Sequence, residues 1–510
     1  MSIVLGVDVG TTGTKAVAVN KAGTVVAAAL VEYPLLSPKP NWAEQDPAEW
    51  KRAAFAALAR LAHAPGVKPA DVKGIGLTGQ MHGSVFLDKD NKVLRNAILW
   101  CDQRTAKQCD DITAKVGAEK LIQMVCNPAL TGFTAPKILW LRDHEPAVYD
   151  SVAKVLLPKD YVRFELTGEF ATDMADASGT LLFDVKNRMW HKELLSMLDI
   201  PLEFMPRAYE GPEVTGRLGA EAAKTTGLPA GIPVIAGGGD QAAGGVGCGI
   251  VQEGVISSTV GTSGVVFAFA DKISTDPQGR VHTFCHSVPG KWHVMGVMLS
   301  AGGSLRWFRD ALCQNEKAVA AETGADPYEY LTAAASRIPI GSEGLLVLPY
   351  LTGERTPHKD PFAKGAFIGL SLRHTRAHMA RAVLEGVAFG MRDSLEIIRE
   401  MGVPIRQVRA SGGGARSAFW RQMQADVNKA PLVTINVDEG PAYGAALLAT
   451  VATGMYGSVE EACDATIRVT DTCEPDAARS KQYDRWFIEY QRSYQALAGG
   501  FRRCAEILEA

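Results

Sequence analysis

A strand, a Gly-Thr turn and a returning strand occur twice in this chain, once in each half. "SIVLGVDVG" leads through Gly10, Thr11, Thr12 and Gly13 into "TKAVAVN", and "EGVISSTV" leads through Gly261, Thr262, Ser263 and Gly264 into "VVFAFA". Apolar runs of this length bounded by Gly and Thr read as strands. A chain that repeats such a unit folds most simply as two related α/β domains with a cleft between them, and 510 residues is too long for one core. Around the first unit, Lys21-Ala22-Gly23 turns into "TVVAAALVEYPL", which makes a β-meander. Asp46-Pro47-Ala48-Glu49 then supplies an N-cap, a Pro at the first helical position and an acid at N3, for a helix running to about Ala62. "VKGIGLTG" reads as a strand, and "SVFLDKDNKVL" as a hairpin turning at Lys89-Asp90-Asn91. In the second half, "TRAHMARAVLEGVAFGMRDSLEIIREMG" reads as a long helix stopped by Gly402, and "QVRASGGGARSAFWRQMQADV" as strand, glycine loop and helix. A closing helix is expected from about Arg479. The pattern is mixed α/β, cut near residue 245 into segments 1–245 and 246–510.

Composition excludes several function classes. Apolar residues make up 47% and charged residues 21%, ordinary for a soluble globular protein. A net charge of -3 leaves no basic footprint for nucleic acid, and no apolar run is long enough to span a bilayer. The start, "MSIVLGVDVG", lacks the basic segment of a signal peptide. Nine cysteines stand singly with no CxxC pair, as expected of reduced thiols in a cytoplasmic enzyme.

Six stretches carry candidate chemistry. In "GVDVGTTGTK" the alternation of a strand sends Asp8 to the face opposite Val7 and Val9. A carboxylate beside the backbone N–H groups of Gly10, Thr11 and Thr12 suits phosphate, with Mg²⁺ held through water; the plain alternative is a hairpin with a glycine turn. The spacing is neither GxxxxGK[ST] nor GxGxxG. In the second half Gly261 and Thr262 offer a matching loop. The run Gly412, Gly413, Gly414 opens a helix and would let a flat base lie against backbone without Cβ clashes. In "PVIAGGGDQAAGGVGCG" the glycines either make a turn capped by Asp240 or let substrates approach while Asp240 does chemistry. Finally, "GQMHGS" and "LWCDQRT" gather Gln80, His82, Asp102 and Arg104, donors and acceptors for a polyhydroxylated ligand, with Trp100 to flank it. A lone His or Trp is more often structural. The cysteines, Cys101 included, have neither a paired base nor metal spacing.

Together these pieces resemble the FGGY carbohydrate kinase family of the actin-like ATPase superfamily, from "GVDVGTTGTKA" through "GGGD" and "VGTSG" to "ASGGGARS". "GFTAPKILWLRDHEP", "PYLTGERTPHKDP" and "GAFIGLSLRHTRAHMARAVLEGVAF" look like further family signatures. The resemblance implies two actin-like (ribonuclease H-like) domains with a catalytic cleft between them that closes on substrate. It implies ATP-dependent phosphorylation of D-xylulose at its C5 hydroxyl, with ribulose or glycerol as alternative acceptors. An actin- or Hsp70-like ATP-driven binding protein and a catalytically dead sugar binder are the readings from other classes. Asp240 would be the catalytic base and Asp8 the acid near Mg²⁺, both reaching the ion through water. Gly10, Thr11, Thr12, Gly261 and Thr262 would line the phosphates, and Gly412, Gly413 and Gly414 the adenine. Gln80, Met81, His82, Trp100, Asp102 and Gln241 would lie at the sugar. One departure stands out: Cys101 occupies a position where many relatives have Asn. An ordinary Asp pKa of about 3.9 makes a weak base, tolerable if the proton leaves late. Beyond ATP, Mg²⁺ and the sugar, no nucleic-acid or membrane partner is implied; dimers occur among related kinases.

Overall fold

The computed structural model describes residues 2–437 and 439–509. The expected meander is present as β1 (Ile3–Val9), β2 (Gly13–Asn20) and β3 (Val25–Glu32), each antiparallel to the next. Strand Val72–Gly79 lies parallel to β1 on its other side, followed by Pro233–Ile235 and then Val214–Arg217. The expected helix spans Pro47–Ala62, and the Asp46 side chain caps it by accepting from Ala48 N at 2.9 Å. Its buried residues Trp50, Ala53, Ala54, Ala57, Leu58 and Leu61 join Ile3, Leu5, Val7 and Val9 in one core. The alternation of β1 therefore leaves Val4, Gly6 and Asp8 for the opposite face.

That opposite face is covered by a helix from late in the chain, Gly440–Ala452. Contact is so close that a Cβ on Gly6 would lie 1.9 Å from Ala442 O, and one on Gly76 1.9 Å from Ala445 O. Two glycines on adjacent strands and a helix rich in Ala are thus one packing solution. Gly6→Ala forces the layers apart, and we expect a loss of stability of about 2 kcal/mol or more. Thermal unfolding measures it, and an unchanged melting temperature contradicts the packing.

The chain folds into two units. One takes in residues up to Gln252, Phe269–His293 and Val437–Arg468; the other takes in Glu253–Ala268, Val294–Asn436 and the chain from Val469 onward. Helices Gly440–Ala452 and Val459–Thr466, which a single cut near residue 245 assigns to the second half, pack with the first unit. The bare face of the first sheet is the physical reason. The hairpin expected after residue 84 is also modified. Asp88 N donates to Lys92 O at 3.0 Å and Asn91 is left-handed, so the turn exists. Strand Val85–Leu87, however, takes its ladder from Lys154–Leu156.

In the second unit, strand Gly254–Val260 is antiparallel to Gly264–Ala270 and parallel to Ile405–Ser411. This repeats the relation of β1 to β2 and to Val72–Gly79, as the repeated Gly-Thr turn implied. Leu432–Ile435 and Val469–Cys473 extend the sheet on one side and Trp292–Met298 on the other. The long helix spans Arg376–Glu400, with Thr375 and His378 forming a reciprocal cap and Gly402 left-handed beyond it. The last helix is Ala477–Glu509. No described helix is long and apolar enough to cross a membrane.

Candidate active site

Strand register brings the acidic candidates to one sheet end. Asp8 pairs with Thr78, and Thr78 with Gly238; Val9 pairs with Gly79, and Gly79 with Gly239. Gly10, Gln80 and Asp240 therefore follow three parallel strand ends, where ligands bind in sheets of this kind. The glycines before Asp240 serve the protein rather than a ligand, which corrects the reading that they clear space for substrates. A Cβ on Gly237, which is left-handed, would meet Leu77 O at 1.7 Å; one on Gly238 would meet Ser287 Oγ at 2.0 Å, and one on Gly239 Met81 Cγ at 2.9 Å. Asp240 is the first residue of helix Asp240–Gly247.

Electrostatics separates these two acids from ordinary surface carboxylates. Burial pushes the Asp240 carboxyl up to about 6, against hydrogen bonds from the Gln241 side chain and backbone. Asp8 is pushed up to about 7, by burial first and by the neighbouring Asp240 second, while Lys15 opposes. Lys15 stands directly across the β1–β2 ladder from Asp8 and is paired with Glu439. Asp8 Oδ1 is buried without a hydrogen-bond partner. Gln241, expected at the sugar, here engages Asp240.

The Gly10–Thr12 loop is tied down from several sides. Gly10 O accepts from Tyr33 Oη at 2.6 Å and Gln80 Nε2 at 3.2 Å, and Thr11 O accepts from Gln45 Nε2 at 2.6 Å. Thr12 is exposed. Gln80 Nε2 also donates to Gln45 Oε1 at 2.9 Å, and the side chain is 1% exposed. Gln80 is therefore a holder of this loop rather than a sugar contact. Asp102 needs the same correction. It is fully buried, and its oxygens accept from Ala43 N at 2.6 Å, Arg104 N at 2.9 Å and the Arg104 guanidinium at 2.7 Å. Arg104 in turn pairs with Glu44 at 2.8 Å and lies 3.5 Å from the Trp42 ring centroid. This buried pair fixes the loop that presents Trp100. Trp100 itself is 40% exposed, with Nε1 donating to Thr11 Oγ1 at 3.1 Å, so it is no core residue. Cys101 is half-buried, and burial pushes its thiol up, away from reactivity.

His82 is held in a left-handed backbone conformation, φ 69°, which costs a non-glycine residue on the order of 1–3 kcal/mol and is kept where a site needs it. Its Nδ1 lies 2.6 Å from Gly179 O; a carbonyl can only accept, so Nδ1 carries the hydrogen and Nε2 is the basic nitrogen of the neutral ring. His82 O accepts from Lys137 Nζ at 2.8 Å and Thr134 Oγ1 at 3.1 Å, and the ring lies against Phe133. Lys137 is fully buried, donates also to Gly132 O at 2.7 Å, and is pushed down to about 7 by burial, with Asp102 opposing. Met81 packs against Gly239. Sequence reasoning assigned no role to Lys137, Thr134 or Gly179. The first two sit in the "GFTAPKILW" signature, which was the available signal; Gly179 had none.

The second unit contains a cavity of about 660 Å³, within the range of small-molecule sites. Gly261, Thr262, Gly413 and Gly414 line it, with Gly302, Gly303, Leu305, Tyr328 and Phe419. Gly412 does not line it but makes the turn: it is left-handed, and a Cβ there would meet Val260 O at 2.7 Å. A Cβ on Gly302 would meet Gly261 O at 2.5 Å, and Thr262 O accepts from Ala301 N at 2.9 Å and Gly303 N at 3.0 Å. The Gly302-Gly303 pair opening a helix is a signal the sequence reading passed over. Tyr328 carried none, being distant in sequence from either loop, whereas Phe419 follows Gly414 in the same glycine-loop-to-helix stretch. The lining joins this glycine backbone and apolar surface to the charged Arg306, Asp326, Glu329 and Arg416, a mixture that suits a planar base carrying a charged tail.

A repeated strand–turn–strand unit, a pair of buried carboxylates at a sheet end and a glycine-walled cavity together define a two-domain α/β enzyme built for phosphoryl transfer. The chain belongs to the FGGY family of carbohydrate kinases, whose N-terminal domain matches residues 3–247 and whose C-terminal domain matches residues 256–453. It is 42% identical over 494 residues to the xylulose kinase of Escherichia coli strain K12, covering 97% of this chain and 99% of that protein. Among solved structures, a xylulose kinase from Rhodospirillum rubrum matches with a TM-score of 0.90 at 34% identity, covering 98% of this chain and all of that one. A gluconate kinase from Lactobacillus acidophilus matches with a TM-score of 0.91 at 28% identity, covering 98% and 99%.

Proposed function

We propose that this kinase transfers the γ-phosphoryl group of ATP to the C5 hydroxyl of D-xylulose, with Asp240 as the base. The observation that carries the reaction is the Asp8–Asp240 carboxylate pair at the end of the parallel strands. The choice of sugar rests on the xylulose kinases to which the chain is similar along nearly its whole length. The C5 oxygen attacks the γ-phosphorus, the bond from γ-phosphorus to the β–γ bridging oxygen breaks, ADP leaves, and the hydroxyl proton passes to Asp240. In a loose transition state of this kind the protein mainly positions reactants and offsets phosphate charge. A base raised to about 6 by burial is better matched to neutral pH than an ordinary aspartate.

Met81, His82, Trp100 and Gln241 are the residues proposed for the sugar. Gly10, Thr11, Thr12, Gly261 and Thr262 are proposed for the phosphates, and Gly413 and Gly414 for the adenine. The buried, unpartnered Asp8 Oδ1 fits a cation, so Asp8 and Asp240 would hold Mg²⁺, largely through water. Among the described residues no cluster of three or more His, Cys, Asp or Glu forms a metal cage, and Mg²⁺ commonly arrives with its nucleotide. When bound, the ion offsets charge on the β- and γ-phosphates.

Because the base must be ionised, turnover falls as pH drops through the range of the pair. We expect kcat/KM to lose activity between about pH 7 and pH 6, as two coupled steps belonging to the pair. Initial rates from pH 5 to 9 measure this; activity that stays flat down to pH 5 contradicts it. The sugar is tested by ADP release with D-xylulose, D-ribulose, gluconate and glycerol. D-Xylulose should give the highest kcat/KM. Turnover of another acceptor with none of D-xylulose overturns the choice, and ADP release indifferent to every acceptor favours an ATP-driven binding protein.

A further inference from the structure

The stretch "PYLTGERTPHKDP", Pro349–Pro361, has no part in either site described above. Within the second unit its first half lies along the segment leading into the cavity. Thr356 N donates to Val297 O at 3.0 Å, and Val297 N donates to Thr356 Oγ1 at 3.1 Å. Leu299 N donates to Glu354 Oε1 at 2.9 Å, Ser300 Oγ and Thr352 Oγ1 share a hydrogen bond of 2.9 Å, and Ser304 Oγ donates to Pro349 O at 3.1 Å. The segment held in this way carries Gly302 and Gly303 of the cavity wall. It also carries Ala301 N and Gly303 N, which grip Thr262 O of the second phosphate loop.

Within this buttress Glu354 is unusual. It is 2% exposed, and its second oxygen, Oε2, is buried with no hydrogen-bond partner. A carboxyl is costly to bury, and here a single oxygen carries its contacts, Oε1 accepting from Leu299 N at 2.9 Å and from Arg355 N at 2.7 Å. We propose that Glu354 is a positioning residue for nucleotide binding: through Leu299 N it fixes the Ser300–Gly303 turn, and through that turn the Thr262 loop. The proposal rests on the cavity being the ATP site.

The test is ADP binding by titration calorimetry to the full chain without sugar, together with KM for ATP and for D-xylulose. Glu354→Leu removes the acceptor of both Leu299 N and Arg355 N and should weaken ADP binding and raise KM for ATP by roughly tenfold, as for buried donors left unpaired in a rigid wall, while KM for D-xylulose changes less than about twofold. Burial pushes the Glu354 carboxyl up to about 8, so it is largely neutral at pH 7. Glu354→Gln keeps both the acceptor oxygen and that neutrality, and should restore near wild-type binding. Thr352→Val, at an exposed position, tests the same buttress if the leucine variant does not fold, and should weaken ADP binding roughly threefold. Wild-type affinity in the leucine or valine variant, or a glutamine variant as weak as the leucine one, overturns the proposal. A wild-type protein that binds no ADP overturns the cavity reading beneath it, and a loss confined to D-xylulose overturns the assignment to nucleotide.

Discussion

Asp240→Asn is expected to lower kcat by about three orders of magnitude, the middle of the range a positioned general base contributes, while the fold and KM for D-xylulose stay close to wild type. The asparagine keeps the shape and the contacts with Gln241 but cannot take the C5 proton. The same substitution should stabilise the protein. Burial pushes the folded carboxyl up to about 6 from the ordinary aspartate value of 3.8, so its ionised form is less favoured in the fold than in the unfolded chain. The resulting destabilisation is fully present above about pH 6 and fades as pH falls toward about 4. At pH 8 it amounts to roughly 2–3 kcal/mol. The melting temperature of the Asn variant should therefore exceed wild type by more at pH 8 than at pH 5. A variant with wild-type turnover would make Asp240 only the polar start of a helix, as in a catalytically dead sugar binder.

Asp8→Asn is expected to lower kcat by about two orders of magnitude, a scale typical of losing one electrostatic contact to a transferring group. It should also raise the Mg²⁺ concentration needed for half-maximal rate. The raised titration of Asp8 comes from burial and from Asp240, and the two acids titrate as a pair, so the variant's profile should show one step in place of two. Rates measured against Mg²⁺ at several pH values separate these effects. Unchanged Mg²⁺ dependence would leave Asp8 as a strand residue that happens to face Lys15.

Strands and helices were legible because period and punctuation agree with the tertiary outcome: β1 to β3, Pro47–Ala62 and Arg376–Glu400 all carry turn or cap residues at their ends. The approach of Gly6 and Gly76 to a helix more than three hundred residues away was not legible, since a glycine in a strand does not name its neighbour. At the site, residue types pointed to particular stretches but could not say which polar groups the protein itself consumes. Gln80 and Asp102 sit in those stretches, yet the Gly10 loop and Arg104 take up their hydrogen-bonding capacity. Trp100 went the other way, exposed where a tryptophan is usually core. The cavity wall also drew on Tyr328, which only the fold brings to the glycine loops.

The most direct test of the central claim is the product made from D-xylulose labelled with ¹³C at C5 and ATP, followed by NMR for wild type and Asp240→Asn side by side. The account predicts ¹³C–³¹P coupling at C5 with wild-type enzyme and formation of the same species about a thousandfold more slowly with the variant. Phosphate on another carbon, or product formed at the wild-type rate by the variant, would contradict it.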